Sequence, residues 1–133
     1  MYLIDANILL EILLEQEKSK ECEDLLIKIN QSEHLFYVSS FSLHSIEVIM
    51  IRNNKINELL DFLSDIAISK IIRIDTNTNE EFNILKTMKE LKLDFDDALQ
   101  YYLCEKYNLK IISYDKHFDK TDIERLEPQD LEL

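Results

Sequence analysis

Four short apolar runs, MYLID, LFYVSS, KIIRID and KIISYD, alternate with longer helical patterns along this chain, and each run closes on a polar residue. The runs are short and rich in β-branched and aromatic side chains, which is the pattern of strands covered on both faces. A weaker fifth candidate is DIERLEP, residues 122–128. Between them, apolar side chains recur at helical spacing over Asn7–Glu15, Lys18–Ile29, Phe41–Arg52, Ile56–Ile68, Glu80–Leu91 and Phe95–Tyr107. Thr78 with Glu81 three residues on reads as a capping box for the fifth helix. Strands alternating with helices predict an α/β chain with a parallel sheet and helices on both sides. In such sheets, chemistry gathers beyond the carboxyl ends of the strands.

Composition narrows the function. The 133 residues suit one domain, 1–133, and 46 % hydrophobic content suffices for a core. The chain has no glycine. That excludes a P-loop and a G-x-G-x-x-G turn, both of which need backbone that side chains would obstruct. Tight turns must rely on residues such as Asn53 and Asn54. No apolar run approaches a membrane span and the first residues lack a basic leader, so the expectation is a soluble, cytoplasmic protein without membrane association. Cys22 and Cys104 read as small buried hydrophobes, and His34, His44 and His117 are scattered, with no zinc-ligand spacing. A net charge of −12 argues against simple phosphate binding and fits a divalent metal or a basic protein partner.

Asp5 and Asp115 close the first and fourth strong runs, which puts both at the functional edge of a parallel sheet. A strand-end acid is commonly only a helix cap, and Asp75 reads that way. Glu47 falls four residues after Leu43 within the stripe Leu43, Ile46, Met50, where a carboxylate costs several kcal/mol unless paired or bound to metal. The segment LDFDDALQYYL places Asp94 at a helix N-cap and Asp96 and Asp97 in the first turn, ahead of the stripe Phe95, Ala98, Leu99, Tyr102, Leu103. Helical phase alone does not say which of Asp96 and Asp97 enters a site. If Asp5, Glu47, Asp97 and Asp115 converge, four like charges need a cation. All-oxygen ligation suits Mg2+ or Mn2+, ions that activate water and neutralise phosphoryl oxygens.

These segments, in this order, resemble the PIN-domain ribonucleases, in particular the small toxins of VapC-type toxin–antitoxin pairs. LIDANILLE is similar to the family's opening strand and helix, VSSFSLHSIEVI to its second strand and a helix with an inward Glu, and DFDDALQYYLCEKYNLKIISYDKHF to its Asp-Ala helix, next strand and hydroxyl-x-Asp-x-x-Phe segment. IERLEP resembles its short last strand. The resemblance implies a three-layer α/β/α fold with a five-stranded sheet ordered 3-2-1-4-5. It implies metal-dependent hydrolysis of single-stranded RNA, with Asp5, Glu47, Asp97 and Asp115 at the metal and Asn7, Asp96 and Ser113 in support. It also implies a homodimer and an antitoxin partner. A phosphatase that gathers acids at strand ends would need Asp-x-Asp, with an acid where Asn7 stands, and a receiver domain a late Lys-Pro that ISYDKHF lacks. A non-catalytic scaffold is disfavoured by four occupied acidic positions.

Overall fold

The computed structural model describes residues 1–132. Strand β1 (Tyr2–Ile4) is followed by helices α1 (Ala6–Leu13) and α2 (Ser19–Gln31), and β2 (Phe36–Ser39) by α3 (Ser40–Arg52) and α4 (Ile56–Ile68). Then come β3 (Ile72–Ile74), α5 (Thr78–Leu91), α6 (Phe95–Tyr107), β4 (Lys110–Ile112), a 3-10 turn at Lys116–Lys120, β5 (Arg125–Leu126) and a second such turn at Pro128–Asp130. All pairings are parallel and the order is β3-β2-β1-β4-β5, as the resemblance implied.

Strand alternation builds the two core layers. Ile4 of β1 and Ile112 of β4 face α1–α4, joining Ile8, Leu25, Phe36, Leu43 and Ile46. Their neighbours Leu3 and Ile111 face α5 and α6, joining Ile84, Leu99, Leu103 and Phe118. The central strands are therefore covered on both faces, as their sequence predicts. The edges differ: in β3, Ile72 and Arg73 are exposed, and both residues of β5 are half-buried. An edge strand has a neighbour on one side only, which local sequence does not reveal.

The capping box at α5 lies one residue earlier than the sequence suggests. Asn77 accepts from Glu80 N at 2.9 Å, and the Glu80 carboxylate accepts from Asn77 N at 3.1 Å, while Thr76 donates to Glu81. Asparagine caps at least as well as threonine, so Asn77 can take the position. Without glycine, the helix ends turn on other residues: Asn54, Lys92 and Asn108 have φ of 56°, 54° and 54°. Asparagine tolerates that region; lysine does so at a cost. Lys92→Gly is expected to raise stability by about 0.5–1 kcal/mol, measured by chemical denaturation; a loss of stability would contradict it. Among the described residues, no helix is long and apolar enough to cross a membrane.

Candidate metal centre

The parallel topology carries the ends of β1 and β4 to one edge side by side. Asp5 N donates to Ile112 O at 3.0 Å, closing the ladder where the two strands finish. Asp5 is the N-cap of α1, accepting from Ala6 N at 2.7 Å. Its other oxygen accepts from Ser113 Oγ at 2.6 Å and from Asn7 Nδ2 at 3.3 Å. Asn7 Nδ2 also donates to Ser113 Oγ at 3.1 Å, Asn7 Oδ1 accepts from Tyr114 N, and Ser113 Oγ accepts from Asp115 N at 2.9 Å. Asn7 and Ser113 thus tie the two strand-end acids into one network.

Helix α6 brings its N-terminus to the same edge. Asp94 is its N-cap, accepting from Asp97 N at 2.9 Å. Asp97 is buried at 3 % exposure and Asp96 is half-buried. Sequence phase does not separate the two, because what distinguishes Asp97 is its contact with the 3-10 turn after Asp115, far along the chain. That turn supplies His117, whose Nδ1 lies 3.2 Å from Asp97 Oδ2 and 3.1 Å from Asp115 Oδ1. Sequence reading set His117 aside as scattered. Its position two residues after a strand-end Asp was the only available signal.

The electrostatics follow from this crowding. Burial is the main cause that pushes the Asp5 carboxyl up to about 7, with the charges of Asp96 and Asp97 adding to it and the Ser113 hydrogen bond opposing it. Asp97 is pushed up to about 6, again first by burial and then by Asp115 and Asp94. Asp96 is raised by burial and by Asp94. Among the described residues, no lysine or arginine lies within ion-pair distance of Asp5, Asp96, Asp97 or Asp115. Such a set is acidic, partly buried and without a lysine or arginine to offset it. Ligand atoms of Asp97, Asp115 and His117 all lie within 4.8 Å of one another, so one ion can span them. Hard carboxylate oxygens fit a divalent ion, which would supply the positive charge that no lysine or arginine brings.

Glu47 is not brought to this group. Its carboxylate lies 2.9 Å from His44 Nδ1, and His44 Nε2 lies 3.3 Å from an Arg73 guanidinium nitrogen. Ser40, His44 and Glu47 share the face of α3 turned to β3, where Arg73 donates to Ser40 Oγ at 2.8 Å. The face turned to α6 carries Ser42, which accepts from Gln100 at 2.6 Å. Glu47 lies five residues from Ser42, about 140° around a helix of 3.6 residues per turn. The sequence stripe placed it beside the core; in the structure it sits half-exposed on the flank.

Known proteins agree with this architecture. A family model described as the PIN domain matches residues 2–124. No curated protein matches by sequence. Among solved structures, a Mycobacterium tuberculosis toxin, VapC20, described as cleaving the sarcin-ricin loop, superposes with a TM-score of 0.77 at 9 % identity, covering 92 % of this chain and 96 % of its own. VapBC2 of Rickettsia felis, bound to a promoter DNA fragment, gives 0.74 at 15 % identity, with 95 % and 97 % covered. A toxin–antitoxin complex of Klebsiella pneumoniae gives 0.70 at 17 % identity, with 96 % and 98 % covered. At these identities the likeness is one of fold, whereas the family match spans nearly the whole sequence: this chain belongs to the PIN-domain family.

Proposed function

We propose that the protein is a metal-dependent endoribonuclease that hydrolyses single-stranded RNA, acting as the toxin of a toxin–antitoxin pair. The observation that carries this reading is the meeting of Asp5, Asp96, Asp97 and Asp115 at one sheet edge without a lysine or arginine to neutralise them. Asp5, Asp97 and Asp115 would hold one or two Mg2+ or Mn2+ ions, with His117 at the rim. A bound ion there supplies positive charge for a phosphoryl oxygen and lowers the pKa of a water. The chain's own residues fix the acids: Asn7 and Ser113 orient Asp5, Ser113 receives the Asp115 N–H, and Asp94 anchors the turn that presents Asp97.

Of the cations the sequence offers, Lys116 is exposed beside Asp115 and stands where it can meet an RNA phosphate. Arg52 ends α3, about 18 Å along the helix from Ser40 at 1.5 Å per residue, so it lies at the opposite end of that helix from β2. The toxin role is supported by the toxin and toxin–antitoxin folds that superpose on the chain, and by a net charge of −12 that suits a basic antitoxin. The same reading makes the working unit a homodimer.

The test is cleavage of a generic single-stranded RNA by wild type, Asp5→Asn and Asp97→Asn, with Mn2+ or with EDTA. Wild type with Mn2+ is expected to cut, and either substitution or EDTA to reduce the rate by roughly a hundredfold or more. Equal cleavage in all arms, or none in any, refutes the reading.

A further inference from the structure

We infer that Gln100 is a positioning residue of this centre: it holds Asp96 against the acidic edge, so that α3 serves the site through a chain of neutral hydrogen bonds while Glu47 stays outside. The inference rests on the metal-centre reading above and assigns how its fourth carboxylate is set.

Gln100 is fully buried on α6, one turn after Asp96. Its Nε2 donates to Ser42 Oγ at 2.6 Å and lies 3.5 Å from Asp96 Oδ1. Ser42 Oγ accepts in turn from Ser39 Oγ at 3.0 Å, and Ser42 N donates to Ser39 Oγ at 3.0 Å. Ser39 ends β2 and caps α3, so an unbroken chain Ser39–Ser42–Gln100–Asp96 runs from that strand end to the acids. Gln100 Oε1 has no hydrogen-bond partner, and it is the one such buried side-chain atom among the described residues. A glutamine serving only to fill the core gains nothing from an unmatched carbonyl there, since an apolar side chain of the same size avoids it.

What the amide provides is direction. Asp94 and Asp115 both repel Asp96. Left alone, a half-buried carboxylate in that position turns toward water. The Nε2 donor, fixed by a short bond to a buried serine, gives Asp96 a reason to face inward. Glu47 lacks any such link, being held by His44 on the opposite flank of α3.

Titration calorimetry with Mn2+ alone, without RNA, tests this. Gln100→Leu is expected to weaken Mn2+ binding about tenfold, while its melting temperature in EDTA stays at or above that of wild type. Asp96→Asn is expected to weaken binding comparably. The double variant should bind about as well as Asp96→Asn alone, because the first residue acts through the second. Ser42→Ala, which leaves the glutamine in place without its anchor, should lose about threefold and covers the case in which Gln100→Leu folds poorly. Wild-type affinity in both Gln100→Leu and Ser42→Ala, or losses that multiply in the double variant, overturns the inference while the metal centre stands. A larger loss in Glu47→Gln than in Asp96→Asn also overturns it. Absence of Mn2+ binding by wild type refutes the centre itself.

Discussion

In EDTA the protein is expected to melt at a lower temperature at pH 8 than at pH 5, and Mn2+ is expected to restore most of the loss at pH 8. The cause is the acidic edge. Asp5 is 4 % exposed and its carboxyl is pushed up to about 7, chiefly by burial; Asp97, at 3 %, is pushed up to about 6. A carboxyl raised in the folded chain binds its proton more tightly there than in the unfolded chain. Between the ordinary carboxylate range and pH 7 the native state therefore holds more protons, and stability falls as pH rises through that window. For Asp5 alone the effect is on the order of 4 kcal/mol. Below pH 4 the trend reverses, because Glu80, Asp119 and Glu127, held below the usual range by Lys106 or Arg125, lose their ion pairs on protonation. Maximum stability without metal should lie near pH 5.

A divalent ion binding only the folded state adds about 2.7 kcal/mol at a hundred times its dissociation constant. It should act at pH 8, where the acids are ionised, and little at pH 5. Asp5→Asn separates charge from shape. Asparagine still caps α1 but carries no charge to desolvate. In EDTA at pH 8 this variant is expected to melt above wild type by several degrees, with a flatter pH profile and little response to Mn2+. A wild-type melting temperature that is level from pH 5 to pH 8 in EDTA would remove the electrostatic basis of the site.

The sheet was readable because its order of evidence is local: four runs, each ending on a polar residue, separated by helical patterns. Strand ends are where parallel topology puts function, so Asp5 and Asp115 were legible as candidates from their own neighbourhoods. What decided the remaining positions was contact between distant segments. Asp97 rather than Asp96 is the acid that meets the Lys116–Lys120 turn, through His117 at 3.2 Å. Glu47 fell on the apolar stripe of α3 by count, yet a stripe is some 100° wide and its flank here meets Arg73 of β3 through His44. Gln100 sat in a helix with no local reason to be polar; the reason, Ser42, is 58 residues away. His117 depended on two acids, one of them 20 residues back. The edge exposure of β3 likewise followed from strand order, which no single run encodes.

Phe118→Ala is expected to cost about 3–5 kcal/mol and to weaken Mn2+ binding as well. Phe118 is fully buried in the layer with Leu3, Ile84, Leu99, Leu103 and Ile111, and it is the anchor of the Lys116–Lys120 turn. Its carbonyl accepts from Thr121 N at 3.0 Å and Thr121 Oγ1 at 2.6 Å, so the ring and the backbone on either side are fixed together. That turn carries Asp115 at its N-cap and His117 within it. Removing the ring leaves a large void beside His117, which lies about 3 Å from both Asp97 and Asp115. Phe118→Leu keeps most of the volume and should cost under about 1.5 kcal/mol, yet still loosen the turn enough to reduce Mn2+ affinity. The comparison is Ile29→Ala in α2, on the other face of the sheet, buried at 1 % exposure. It should lose roughly 2–5 kcal/mol while leaving Mn2+ affinity nearly unchanged, because α2 itself carries none of Asp5, Asp96, Asp97 and Asp115. Thermal unfolding in EDTA and Mn2+ titration on the same samples separate the two effects. If Phe118→Leu binds Mn2+ as wild type does while Ile29→Ala does not, the ring is only core filling and the site is held in place by something else.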